Sequence, residues 1–316
     1  MKIRVLICTL VMPLLLVTAA VAQSPADDHL VAPKEEILFY TSEWEGDRMP
    51  DGRPDVSDAL LERLKQIRLE DAWQYLYEQG YNNQYEGGWK KLHPDRPIVG
   101  QVLTAQYMPK RPDIMQRLER EGTEAGHVGP MNTWPIDMLR EGDVYLADSY
   151  GKIAQGTLIG SNLGNSIFDN SGNGVIFNGS LRDGEDLEKL EGFNAFVRDW
   201  HPSFLEETML TGINVPIRIG EVSVMPGDVV LAKKRGIVFI PPHLLEGMVI
   251  TAEIVKLRDE FAQQRMEAGV YTAGQIDTEW TDQIEEDFLG WLRENRIDQL
   301  PVSIEKMKQY LQQRTW

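Results

Sequence analysis

The chain has 316 residues, with 32 Lys and Arg against 49 Asp and Glu and a formal net charge of −17. That balance argues against nucleic acid and anionic lipid as partners, since both would be repelled, and no basic cluster larger than Lys233-Lys234-Arg235 offsets it. With Cys8 as its single cysteine, the chain has no internal disulfide framework and no cysteine metal site, so stability must come from an ordinary core.

Lys2 and Arg4, the apolar run Val5 to Val17 and the Ala20-Val21-Ala22 site read as a secretory signal over residues 1–22, cleaved before Gln23. The run is short for a membrane span. Cleavage predicts a secreted or periplasmic protein with no membrane attachment. It also removes Cys8 and leaves 30 basic against 49 acidic residues, a net of −19. Residues 23–55 are polar, then rich in Gly, Pro and charge, and predict a flexible, extended lead-in. An α/β domain is expected over 56–248. Within it, helical periodicity runs from Val56 to Ile67, with Ser57 as N-cap, and from Glu70 to Gln79. Pro97 to Ala105 reads as a strand and Pro112 to Glu121 as a helix. Strands follow at Asp143 to Ala147, Gly174 to Asn178, Ala195 to Val197, Val215 to Ile219 and on both sides of Lys233-Lys234-Arg235-Gly236. Helices and strands alternate early and strands cluster later, which is an α/β pattern. Residues 249–316 predict a C-terminal helical extension, with helices at Ala252 to Ala268, Thr278 to Asn295 and Ser303 to Arg314. It should pack on the same domain or on a neighbouring subunit.

The stretch with chemical content is Leu158-Ile159-Gly160-Ser161-Asn162-Leu163-Gly164, followed by Gly174-Val175-Ile176-Phe177-Asn178-Gly179-Ser180-Leu181-Arg182-Asp183. A Gly-rich turn opening a helix offers backbone N–H groups to a carboxylate or phosphate. Asp183 can bind a hard divalent cation, and Arg182 can fork onto a substrate carboxylate.

This stretch resembles the proteins related to the regulator of ribonuclease E activity A, the RraA-like family. That family also contains the class II pyruvate aldolases, which cleave 4-hydroxy-4-methyl-2-oxoglutarate and 4-carboxy-4-hydroxy-2-oxoadipate. Its pattern is Gly, twenty residues, Arg-Asp, two residues, then an acid. Arg182-Asp183-Gly184-Glu185-Asp186 fits the second half, while Ser161 stands where the pattern has Gly and Gly160 lies one place earlier. Gly142-Asp143-Val144, Asn214-Val215-Pro216-Ile217, Val224-Met225-Pro226-Gly227-Asp228 and Gly236 to Pro241 are similar to the family's strands.

The resemblance implies a three-layer ββα swivelling domain and a homotrimer, or a hexamer of trimers. It implies Mg²⁺ or Mn²⁺ on Asp183, with Asp186 orienting a water. Arg182 and the backbone of Gly160, Ser161, Asn162 and Leu163 would hold a 2-oxo acid. The expected activity is retro-aldol cleavage releasing pyruvate, or decarboxylation of an oxaloacetate-type acid, through a metal-stabilised enolate. The alternative is a non-catalytic binding or regulatory protein, as in the ribonuclease-regulating relatives, whose partner is cytoplasmic.

Other features carry blander readings. An adjacent Arg and Asp after a strand is commonly a solvated ion pair. His29, His93, His127, His201 and His243 form no zinc pattern. His201 reads as a loop residue. Trp73 and Tyr77, four apart on a helix, suit core or subunit packing better than sugar stacking. Asn178-Gly179-Ser180 matches a glycosylation sequon by chance, and Lys152 and Lys189 are not placed for a Schiff base.

Overall fold

The structure, a computed structural model, describes residues 28–312; the signal segment and its cleavage site lie outside the described residues. Helices are α1 (Lys34–Tyr40), α2 (Asp58–Leu64), α3 (Leu69–Glu78), α4 (Pro112–Glu124), α5 (Trp134–Asp137), α6 (Ser161–Ser171), α7 (Gly184–Leu187), α8 (Pro242–Glu267), α9 (Ala273–Ile276), α10 (Asp282–Asn295) and α11 (Ile304–Gln312). Strands are β1 (Tyr85–Glu86), β2 (Lys90–Lys91), β3 (Ile98–Pro109), β4 (Asp143–Thr157), β5 (Val175–Leu181), β6 (Ala195–Trp200), β7 (Thr208–Ile213), β8 (Ile217–Ile219), β9 (Val222–Val224), β10 (Val229–Lys233) and β11 (Gly236–Ile240).

Nine strands form one mixed sheet in the order β1-β11-β10-β3-β4-β5-β6-β2, with β7 pairing the far half of β3. The strands β3 to β6 run parallel at its centre. Alternation along β10 shows why there are three layers. Val229 and Leu231 face α2, α3 and α8, whereas Val230 and Ala232 face the separate β8–β9 hairpin. Helices, large sheet and hairpin therefore stack in that order, and the expected α/β class with a C-terminal helical extension is the fold observed. No helix among the described residues is long and apolar enough to cross a membrane.

The stretch that reads as an extended lead-in is built into the domain. Residues 34–40 are helical, and Leu30 and Ile37 are buried. Arg53 is 0% exposed and donates to both Asp143 oxygens, at 2.8 and 3.0 Å. Ser57 takes the N-cap position of α2 but makes no side-chain cap bond. The strand expected to end at Ala147 continues to Thr157, because β4 stays paired with β5 through two register shifts that erase the alternation.

The boundary at 248/249 falls inside α8. The helix passes through Gly247, where a Cβ would come within 2.5 Å of the Tyr75 hydroxyl. Glycine is present because α3 packs closely against α8. The first half of α8 buries Leu245, Met248 and Val249 against the sheet helices, and its second half buries Ile254, Leu257 and Phe261 against α10 and α11. Arg63 to Glu253 and Arg68 to Asp259 tie α8 to α2 and α3. The extension thus packs on its own chain.

Candidate active site

The parallel pairing of β4 and β5 brings the two halves of the motif together. Beyond the strands, Leu158 N–H donates to Ser180 O at 3.1 Å and Arg182 N–H to Ile159 O at 3.1 Å. Gly160 at the start of α6 is thereby laid against Arg182-Asp183 at the end of β5. A Cβ at Gly160 would lie 2.4 Å from Asp183 Oδ2 and 2.9 Å from Arg182 Nε. No larger residue fits without moving both groups.

Asp183 has φ 58° and ψ 35°, the left-handed region that a non-glycine residue occupies at a cost. This turn sends its carboxylate back to the N-terminus of α6, where Oδ2 accepts the Ser161 N–H at 3.0 Å. That corrects one expectation: the Ser161 N–H is engaged by Asp183 and does not wait for a substrate. The N–H groups of Asn162 and Leu163 have no acceptor among the described residues. Ser161 itself is helical with negative φ, so serine in place of the pattern's glycine carries no backbone strain.

Arg182 is only loosely paired. Its Nε stands 3.8 Å from Asp183 Oδ2, with the two side chains 34% and 37% exposed. Its guanidinium lies 4.7 Å from the ring centroid of Phe204. Neither terminal nitrogen of Arg182 nor Oδ1 of Asp183 has a partner among the described residues, so both remain able to bind. Asp186 is not brought into this cluster through its carboxylate, which pairs with Lys189 at 2.8 Å on an exposed turn; its backbone N–H donates to Asp183 O.

Phe204 is a residue that sequence reasoning missed. Its loop is tied down by His201, whose N–H donates to Leu181 O and whose Nδ1 bonds Ser203 Oγ at 2.9 Å, and by Gln155 N–H on Ser203 Oγ. The only hint in the sequence is an aromatic residue just past a strand end, which is weak. Lys152 is paired with Glu207. Asn178, the sequon asparagine, gives its amide to Asp148 at 2.7 Å and accepts from Arg198 at 2.8 Å, so it is a satisfied strand residue.

No group of three or more His, Cys, Asp or Glu able to hold a metal occurs among the described residues. A preformed all-protein cage is therefore absent there. One anchored carboxylate with a free oxygen still fits Mg²⁺ or Mn²⁺, since Mg²⁺ is usually bound by one or two carboxylates and keeps water and substrate oxygens as its other ligands.

The family model described as "RraA-like: Aldolase/RraA" matches residues 53–239. This chain belongs to the RraA-like family. Protein DlpA of Legionella pneumophila is 25% identical over 196 residues, which are 58% of this chain and 28% of that protein. A Shewanella oneidensis protein with a provisional 4-hydroxy-4-methyl-2-oxoglutarate aldolase name is 35% identical over 98 residues, 30% of this chain and 57% of that protein. The matches thus span less than two thirds of either relative. Among RraA-like structures, Streptomyces coelicolor RraAS2, described as an unusual member of the RNase ES inhibitor RraA protein family, aligns with TM-score 0.57 and 25% identity, covering 67% of this chain and 100% of that one. The RraA-like family holds both metal-dependent aldolases and non-catalytic regulators.

Proposed function

We propose that this RraA-like protein is a divalent-metal-dependent carbon–carbon lyase acting on a 2-oxo acid. The observation that carries the reading is the pairing of an anchored carboxylate, Asp183, with an arginine whose terminal nitrogens are open, both seated on Gly160. A structural ion pair has no need of a left-handed aspartate, a glycine cradle and unused valences together. Asp183 would hold Mg²⁺ or Mn²⁺, which supplies charge neutralisation at the substrate's keto oxygen. Arg182 takes the substrate carboxylate in two parallel bonds. The N–H groups of Asn162 and Leu163 add donors at the positive end of α6. Phe204 fixes the plane of the guanidinium and walls one side of the site. In the retro-aldol direction the bond between C3 and C4 breaks, its electron pair passes into the pyruvate enolate, and the hydroxyl proton leaves to a base.

Export through the signal at residues 1–22, to the periplasm or outside the cell, and assembly as a homotrimer or hexamer belong to the same proposal. A second reading, a non-catalytic regulator, is favoured by the lone carboxylate and by the likeness to RraAS2. The test is pyruvate release over a panel of 2-oxo acids with added Mg²⁺ or Mn²⁺ and with EDTA. Metal-dependent release lost in Asp183→Ala supports the lyase. No release from any acid, or full activity in EDTA, rejects it.

A further inference from the structure

A second cleft lies between the loop after α1, the segment before β1, the turn before β10 and the first turn of α8. Its volume is about 260 Å³, just below the roughly 300–1,000 Å³ of drug-sized sites, so its occupant is small. Tyr40, Trp44 and Tyr81 supply aromatic rings to its lining, and Glu43, Asp228 and His243 supply titratable groups. No Lys or Arg lines it. Arg48, nearby in sequence, is engaged by Thr41, Trp44 and Gly52.

Asp228 is the group that needs explaining. It is 3% exposed. Oδ2 accepts the Met225 N–H at 2.8 Å, and Oδ1 has no partner among the described residues. Closing the Met225–Asp228 turn takes one oxygen only, and an asparagine would do that without the cost of burying a carboxyl. Burial pushes the Asp228 carboxyl up to about 7, because no cation stands beside it. Tyr81 and His243, both in the lining, are joined at 3.3 Å, and Glu43 adds a further carboxylate.

A buried acid lacking a counter-ion, in a cleft lined by aromatic rings and without Lys or Arg, has one missing component. We propose that this cleft is a second binding site, for a small organic ammonium ion. The rings attract a weakly hydrated cation through their faces, and Asp228 supplies the opposite charge. A hydrated metal ion is disfavoured, since hard cations want several oxygen ligands. The site stands apart from the Arg182–Asp183 cluster and does not depend on lyase activity.

The test is calorimetry of the full-length protein with choline and with its uncharged tert-butyl isostere. Choline should bind saturably, and the isostere about tenfold or more weakly. Asp228→Asn keeps the Met225 bond and should weaken choline by about tenfold or more, as should Tyr81→Leu. Thermal melting of each variant checks that it is folded, and Asp183→Ala should bind choline like the unaltered protein. Equal binding of choline and the isostere, undiminished binding by folded Asp228→Asn, or no saturable binding of choline, tetramethylammonium or ethanolammonium would overturn the assignment.

Discussion

Two of the arginine–aspartate pairs in this molecule differ in almost every physical respect. Arg53 and Asp143 come from distant parts of the chain, are sealed from water and meet through two short parallel bonds. Arg182 and Asp183 are neighbours in sequence, are each about one third exposed and touch only through one long contact of 3.8 Å. The first pair uses its donors and acceptors on the fold; Asp51 and the Val102 carbonyl take further Arg53 donors. The second keeps its terminal nitrogens and one carboxylate oxygen unspent. A charge pair that holds structure is closed, and one that serves a ligand is left open. Asp228, which has no guanidinium at all, extends the series by one step.

The largest expected effect follows from breaking the closed pair. Arg53→Met leaves the Asp143 carboxylate buried without its partner and should cost about 3–5 kcal/mol of stability, measured by urea unfolding. Arg182→Met, in the open pair, should cost less than about 1 kcal/mol. A similar loss from both would erase the distinction.

The unpaired acid gives a pH signature. The Asp228 carboxyl titrates at about 7 when folded, above its ordinary 3.8. The folded state therefore holds a proton that the unfolded chain releases between those values. Stability from this group is full below about pH 4 and is lost as pH rises to about 7. Asp228→Asn lacks the group, so it should gain on the unaltered protein by about 2–4 kcal/mol between pH 4 and 8. Parallel stability curves for the two proteins would mean that Asp228 is already ionised when folded.

In the open pair, Asp183→Ala should lower turnover by about hundredfold or more, the scale of losing one electrostatic element of an active site. Its melting temperature should fall by only a few degrees, the scale of losing the acceptor for the Ser161 N–H at the start of α6. A smaller change is expected from Arg182→Lys, which keeps charge but loses the fork. Oxalate, a planar mimic of the pyruvate enolate, should bind roughly tenfold more weakly by calorimetry, while Mg²⁺ binding persists. Equal oxalate affinity would reduce Arg182 to a surface ion pair.

What could be read from the sequence follows the same division. Gly160, Arg182 and Asp183 were legible because the spacing of β4 and β5 converts a linear motif directly into a contact. The strands β10 and β11 and the periodic helices were legible for similar local reasons. Arg53 was not, because its partner lies 90 positions away and nothing near it signals burial. Phe204 escaped for want of any period. No spacing rule reveals that Asp183 turns left-handed and takes the Ser161 N–H, so the sequence points that donor at a substrate. The boundary expected at 248/249 gives no sign that one helix runs through it, with Gly247 making room for Tyr75.

The 26 residues of α8 make a rod about 39 Å long, and its two halves belong to different apolar clusters. A cut or a loosened turn in the middle would strand the aromatic cluster of Phe261, Trp280, Phe288 and Trp291 without its scaffold. The tail and the sheet are thus joined into one cooperative unit. Amides of α10 should exchange with solvent together with those of β10, in a single protected class, and the chain should melt in one transition; early exchange of α10 alone would show that the tail opens independently of the sheet.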